Sequence, residues 1–344
     1  MNRIWIYAGI AALCLSGCAR DEEAVPNDNA RRYFESWVST NHPSSERTEL
    51  GSCILEQAPG SGADLGSVSD SPYVLVEFTI SDLDGNIERT TDEGLARQLG
   101  TFDRKICYGP QVWQRGENYA YAGVDEILSQ MQVGGSVRVA IPGWLFSYKR
   151  YGSAKDYLNK VTGSDAVYEI RVKERITDIE QWELDSLSRY FASSFPGVDP
   201  ESAMTETGYY YVRTGEPTSE TAFASGDKVY INYCARRLDG QVFDTNVSDT
   251  AYLHKILVDG KKYEPVLINW SAEAEDLTMT ASATSLISGF AKAVHGMLPG
   301  EKGSCLFYSG LGYKGIGTGY TSGKGYIVPP FCPIRFDIEI TTTE

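Results

Sequence analysis

The sequence predicts an α+β fold made of two similar units, each a curved antiparallel sheet wrapped around one short helix. Further helices lead into the units and link them. Three observations carry this expectation. Near the C-terminus, Ile334, Phe336, Ile338 and Ile340 alternate with Arg335, Asp337 and Glu339, the period-two mark of a strand with one buried face. Ahead of that strand, Leu286, Phe290, Ala293, Val294 and Met297 recur at helical spacing before a Pro299-Gly300 turn. Landmarks of this half also stand, in the same order, in the first half.

Taken in order, Met1–Gly17 places Arg3 before an apolar run from Ile4 to Leu15. That run is too short to span a bilayer and has the length of an export signal. It ends in Leu15-Ser16-Gly17-Cys18, which resembles the lipobox of bacterial lipoproteins and implies lipidation of Cys18 as the mature N-terminus. The residue after Cys18 is Ala19 rather than aspartate, which by resemblance to the usual retention rule favours the outer membrane. Asp21-Glu22-Glu23 resembles the acidic signal that sends lipoproteins of the Bacteroides group to the cell surface. The expected location is the outer membrane, on its periplasmic face or at the cell surface. An acidic tether is expected over residues 18–29.

Residues 30–175 are expected to form the front domain with its leading helix, 176–203 a helical linker, and 204–344 the back domain. Ala30–Val38 carries Tyr33, Phe34, Trp37 and Val38 as an apolar helical stripe, and its Arg32-Tyr33-Phe34 core recurs at Arg189-Tyr190-Phe191. Leu83-Asp84-Gly85 matches Leu238-Asp239-Gly240, Met131–Gly134 matches Met297–Gly300, and the strand Tyr168–Val172 matches Phe336–Ile340. In the front copy Tyr73–Ile80 is a strand before a hairpin turn, Tyr121–Met131 holds the short helix with Val124, Ile127 and Leu128 on one side, and Ser136–Ile141 is the next strand. In the back copy Tyr209–Arg213 opens the sheet and Lys228–Arg236 alternates. The linker offers Ile179, Trp182, Leu187, Tyr190 and Phe191, too many large apolar groups for a flexible string.

Composition narrows the function. A net charge of −15 argues against nucleic acid and against adhesion to anionic lipid. No Cys-x-x-Cys is present among seven cysteines, and the three histidines are scattered, so neither a redox pair nor a metal site is indicated. Export would permit Cys53–Cys107 and one pair among Cys234, Cys305 and Cys332. The glycine-rich stretch Gly310–Gly325 lacks the Gly-Lys-Ser/Thr of a phosphate loop, and no Gly-x-Ser-x-Gly elbow appears at a strand-to-helix junction.

In the back half, a chain of motifs runs in order. Tyr233 precedes Asp239-Gly240 and Val242-Phe243-Asp244-Thr245; Leu286-Ile287-Ser288-Gly289-Phe290, Leu311-Gly312-Tyr313, Ile327-Val328-Pro329-Pro330 and Phe336-Asp337-Ile338-Glu339 follow. Over roughly residues 208–340 this combination resembles the FK506-binding-protein (FKBP) family of peptidyl-prolyl isomerases. The resemblance implies a pocket walled by Tyr233, Phe243 and Phe336 on one side and by Leu286 and Ile287 on the other, with Phe290 as floor and Val328 as a further substrate contact. It implies Asp244 as the polar group near the substrate carbonyl, Tyr313 as a hydroxyl donor at the rim, and the Ile287 N–H as a carbonyl holder. Prolyl isomerisation breaks no bond, so no nucleophile, metal or cofactor is expected.

The back copy departs from the family pattern in a long segment, Tyr252–Thr284, expected as a flap or bulge at the pocket mouth, and in the extended loop after Tyr313. The front copy resembles the same fold faintly over Ser52–Arg175. It has Glu88-Arg89 where the back copy has Phe243-Asp244, and it reads as a non-catalytic copy, a spacer or a client-binding surface. The function expected is an envelope-anchored prolyl isomerase and folding helper for proline-containing unfolded or exported polypeptides. The alternative is a non-catalytic binding or assembly module of an envelope or surface complex.

Overall fold

The computed structural model describes residues 27–281 and 284–341. The leader Met1–Gly17, Cys18 and the tether up to residue 26 lie outside the described residues. In the front half the elements are α1 (Asp28–Asn41), β1 (Glu46–Arg47), β2 (Cys53–Ala58), β3 (Tyr73–Ser81), β4 (Ile87–Thr90), α2 (Glu93–Gln98), β5 (Gln111–Gln114), α3 (Ala122–Ser129), β6 (Ser136–Ile141), α4 (Ala154–Lys160) and β7 (Ala166–Ile176). The link consists of α5 (Ile179–Ser194) and α6 (Pro200–Ala203). In the back half stand β8 (Met204–Glu206), β9 (Tyr209–Gly215), β10 (Lys228–Arg237), β11 (Val242–Thr245), α7 (Ser248–Leu253), β12 (Val266–Asn269), β13 (Thr278–Met279), β14 (Thr284–Ser285), α8 (Ser288–Gly296), β15 (Lys302–Phe307) and β16 (Ile334–Thr341).

The two sheets share one antiparallel plan. The front sheet runs β1-β2-β6-β7-β3-β4, with β5 also on β3; the back sheet runs β14-β13-β12-β10-β16-β15-β9-β8, with β11 also on β10. The correspondence holds at the level of register. Ile80 faces both Arg89 and Tyr168 across its neighbours, just as Ala235 faces both Asp244 and Phe336. Both hairpins turn on an Asp-Gly pair whose glycine, Gly85 at φ 87° or Gly240 at φ 83°, adopts the left-handed backbone that other residues resist. The internal repeat is therefore structural.

On β16 the alternation of the sequence becomes alternation of burial: Ile334, Phe336, Ile338 and Ile340 face the core and Arg335, Asp337 and Glu339 face outward. One short helix closes each core. Val124, Ile127 and Leu128 of α3 share one buried core with Val76, Val139 and Ile170, and Phe290, Ala293 and Val294 of α8 share another with Ile231, Phe307 and Ile338. Both helices come close to their sheet because each carries glycine at its second position. A Cβ on Gly289 would stand 2.5 Å from the Phe307 ring, and one on Gly123 would stand 2.6 Å from Ile141.

The leading helix starts at Asp28, two residues earlier than the sequence stripe indicates, and buries Phe34 and Val38; Tyr33 of the expected stripe points outward. Its counterpart α5 docks on the back sheet, where Leu187 and Phe191 meet Tyr210, Val212 and Leu306. Within that contact the buried Glu183 carboxylate accepts hydrogen bonds from the Ser309 N–H at 2.6 Å and the Ser309 hydroxyl at 2.7 Å. Burial pushes its pKa up despite those bonds. All five described cysteines are free thiols, so neither pairing that export would permit is formed in this structure.

Part of Tyr252–Thr284 is not a flap. Val266–Asn269 enters the sheet as β12 beside β10, the place that β5 takes beside β3, with Ile268 fully buried. The strand is only four residues long and reads Val-Leu-Ile-Asn without the period-two alternation that marks a half-buried strand.

On the outer face, Asp337 pairs with Arg236 at 2.9 Å and Arg335 at 2.6 Å and accepts a hydrogen bond from Ser304 at 2.6 Å. Burial raises its pKa, but Ser304 and the two arginines more than offset this and leave it below the ordinary carboxylate value. A depressed folded-state pKa gives stability that is present above the unfolded value and lost as pH falls through the folded one. Asp337→Asn is accordingly expected to flatten the acid limb of a plot of unfolding midpoint against pH below about pH 4, the range set by an ordinary carboxylate.

Candidate functional site

The site grows from the junction of β10, β11 and α8. A register shift between Ala235 and Arg236 lets two consecutive residues of β11 be buried. Val242 goes to a small cluster with Cys234, Ala251 and Ile256, while Phe243 goes to the main back core. The next side chain, Asp244, emerges at the rim. Phe243 meets Phe336 edge-on at 6.5 Å, Phe290 meets Phe336 at 4.6 Å, and Phe307 stacks behind Phe336 at 6.0 Å. Tyr233 stands at 5.9 Å from Phe290 and 6.2 Å from Phe336. Fully buried Val328 belongs to the same cluster, and Leu286, Ile287 and Tyr313 pack on it half-buried.

All nine residues singled out for this cleft therefore stand together. The apolar ones form its body, and the polar ones occupy one side of its mouth. The Tyr233 hydroxyl donates to Asp244 Oδ2 at 2.7 Å, and Lys261 Nζ donates to Asp244 Oδ1 at 2.9 Å and to the Thr245 carbonyl at 3.0 Å. Burial and then the Asp244 charge push the Tyr233 phenol well above its ordinary pKa, so it keeps its proton and remains a donor. Burial and the same carboxylate also raise Tyr313. Ile287 is the N-cap of α8 in extended conformation, so the backbone amides at the start of this helix have no acceptor within the helix.

Two supports escaped sequence reading. Asn246 is buried; its side-chain oxygen accepts from the Tyr233 N–H at 2.7 Å, and its amide donates to the carbonyls of Ile231 at 2.9 Å and Glu264 at 3.0 Å. It ties β10 to the segment that brings Lys261 over Asp244. Nothing in a single asparagine signals this. Lys261 lies in the long segment Tyr252–Thr284, and its partner Asp244 lies on another element. On the far side of the helix, His295 stacks on Trp270 at 5.4 Å and reaches the Ala272 carbonyl at 3.0 Å, which makes it a clamp on the insertion.

A concavity of about 820 Å³ lies elsewhere, on the outer face of the front sheet. Glu77, Glu169, Arg138 and Arg171 line it, a mixed-charge solvated surface without the apolar body of the back cleft.

The profile of one family, described as FKBP-type peptidyl-prolyl cis-trans isomerase, matches residues 219–341, the segment that holds the cleft. The back half of this chain is an FKBP-type domain. The front sheet repeats the topology of that FKBP-type domain. No match was found among curated proteins. Among solved structures, the three FKBP domains of wheat FKBP73 share 13% identity, with 84% of this chain and 92% of that chain covered at a TM-score of 0.28. A peptidyl-prolyl cis-trans isomerase from Pseudomonas syringae pv. tomato shares 19%, with 47% and 93% covered at 0.29. FkpA from Escherichia coli shares 19%, with 47% and 61% covered at 0.30. The assignment of the back domain rests on the profile match over residues 219–341, not on these superpositions.

Proposed function

We propose that the FKBP-type domain is a peptidyl-prolyl cis-trans isomerase acting on proline-containing unfolded or exported polypeptides, held at the outer membrane by lipidated Cys18. The observation that carries this reading is the aromatic cleft of Phe243, Phe290 and Phe336 with the Tyr233–Asp244–Lys261 chain on its lip. Proline isomerisation requires rotation over a barrier of about 18–20 kcal/mol, set by amide resonance. Twisting the bond removes that resonance and makes the carbonyl less polar, so a dry apolar cleft favours the twisted state over the planar one. In this reading the three phenylalanines and Val328 hold the proline ring, with Tyr233 and Leu286 as further walls. The Ile287 N–H and the Tyr313 hydroxyl fix the flanking carbonyls, and Asp244 orients the polar lip.

An exposed apolar patch beside the lip fits a polypeptide substrate. Tyr252 and Leu253 are 77% and 74% exposed, and Leu257 and Val258 of the same segment are also exposed. A chain longer than the prolyl dipeptide would cover them. One observation favours the alternative, a non-catalytic binding or assembly module of the envelope. The three phenylalanines of the cleft are each no more than 5% exposed, so a substrate must open the mouth to reach them.

Refolding separates the two readings. An unfolded protein whose slow phase is proline isomerisation takes roughly 10–100 s uncatalysed. A catalytic amount of this chain is expected to shorten that phase, and a non-catalytic module leaves it unchanged.

A further inference from the structure

The front domain keeps a cleft at the position equivalent to the isomerase site but fills it with different chemistry. Arg89 holds the register of Asp244, Tyr168 that of Phe336, Val124 the helix position of Phe290, and Tyr121 the N-cap position of Ile287. The resulting cavity measures about 280 Å³. Its far wall comes from the other half of the molecule: Gly315, Tyr326, Pro330 and Phe331 of the loop after Tyr313 close over it. That wall is fastened. The Cys107 N–H donates to the Tyr326 carbonyl at 2.8 Å, and Arg237 donates to the carbonyls of Lys105 at 3.0 Å and Ile327 at 2.8 Å. Phe331, held at a φ of 55°, packs edge-on against Tyr73 of the front sheet at 5.2 Å.

Charge sets this cavity apart. In a chain of net charge −15, none of the residues lining it is acidic, and Arg89 is its one formal charge. Among the described residues no carboxylate pairs with Arg89. Its guanidinium donates to Gln111 Oε1 at 3.0 Å and lies over the rings of Phe78 at 4.8 Å, Tyr326 at 5.3 Å and Tyr320 at 5.4 Å. Flat aromatic faces hold the planar cation in place without neutralising it. A guanidinium has five N–H donors in a fork that matches a carboxylate. The aromatic walls suit an apolar body, and 280 Å³ lies just below the range of about 300–1,000 Å³ usual for ligand pockets, so one or two side chains fill it.

We infer that the front cleft is a second binding site, walled by both halves of the molecule, for a polypeptide group that joins a carboxylate to an apolar ring. The carboxylate sits on Arg89 and the ring among Trp113, Tyr121 and Phe331. A chain-terminal carboxylate and an acidic side chain share this chemistry. The cleft is thereby a recognition site rather than a worn copy of the isomerase pocket.

Calorimetric titration of the full chain tests this with three probes: N-acetyl-phenylalanine, its neutral amide, and N-acetyl-Phe-Glu-amide. At least one of the two acids is expected to bind about tenfold or more tighter than the amide. Tighter binding of the first assigns the terminal carboxylate, and tighter binding of the second assigns the side chain. Arg89→Gln is expected to bring the acids to the affinity of the amide while leaving the amide within about twofold, and Arg89→Lys to keep part of the preference. Equal affinity for acid and amide in the parent chain, or an unchanged acid preference in a folded Arg89→Gln, overturns the inference. A chain carrying both Phe243→Ala and Asp244→Ala separates this site from the isomerase cleft. Undiminished binding there supports the front site, and loss of binding places the probe in the back cleft and overturns it.

Discussion

Substituting Phe243 and Asp244 together by alanine is expected to lower the acceleration of proline isomerisation by about a hundredfold or more in kcat/KM. The magnitude follows from two losses. Phe243 supplies one wall of the cleft, and a phenylalanine surface withdrawn from water contributes about 1.5–3 kcal/mol, part of which reaches the proline ring in the twisted state. Removing Asp244 leaves the Tyr233 hydroxyl and the Lys261 ammonium without their shared acceptor, which disorders the lip at a cost of about 1–3 kcal/mol. Each 1.36 kcal/mol is tenfold in rate. Phe243 is buried in the back core, so alanine there also costs about 3–5 kcal/mol of stability; the domain is expected to stay folded because Asn246, Thr245 and the β10–β16 ladder are untouched. Circular dichroism on the same sample checks this.

The second large effect is on stability and lies in the front domain. Asp125→Ala is expected to destabilise that domain by about 3–5 kcal/mol, the range for breaking a buried ion pair from one side. Arg115 is among the largest fully buried side chains of the molecule, and its Nε donates to Asp125 Oδ1 at 2.9 Å. The other Asp125 oxygen accepts from the Gly116 N–H at 3.1 Å and from Arg150 Nη2 at 2.8 Å. The remaining Arg115 donors reach Ser71 Oγ at 2.9 Å, Ser129 Oγ at 2.7 Å and nearby carbonyls, so without Asp125 a satisfied network becomes a buried uncompensated charge. Arg150→Ala, which removes the more exposed partner, is the internal comparison, and its cost is expected near 1 kcal/mol. Urea unfolding followed separately for each half reads the difference, since two domains need not unfold in one step.

Most of the fold was legible because it rests on local signals. The alternation of Ile334 to Ile340 became the burial pattern of β16, and the two Asp-Gly turns became two hairpins in matching register. The Phe and Tyr positions of the cleft were legible because a family resemblance spans several spaced motifs. What stayed hidden depends on pairs far apart in sequence. Lys261 over Asp244, Asn246 between two strands, and Glu183 on Ser309 each join polar residues whose partner lies on another element. The identity of β12 was hidden for a different reason: a four-residue strand gains its place from the exposed edge of β10, not from its own pattern. In the front copy, Glu88-Arg89 read as the loss of an apolar wall. Only the three-dimensional arrangement shows that Arg89 faces a cavity closed by a loop more than two hundred residues later in the chain.

The most direct test is two-dimensional exchange NMR on an Ala-Leu-Pro-Phe peptide, whose cis and trans forms give separate signals. With a catalytic amount of the full chain, cross-peaks between the two forms are expected within a mixing time of about a second, far shorter than the uncatalysed 10–100 s. They are expected to vanish when Phe243 and Asp244 are both alanine. A folded parent chain that produces no exchange cross-peaks, on this peptide or on a longer proline-containing one that can also cover Tyr252 and Leu253, would contradict the isomerase reading.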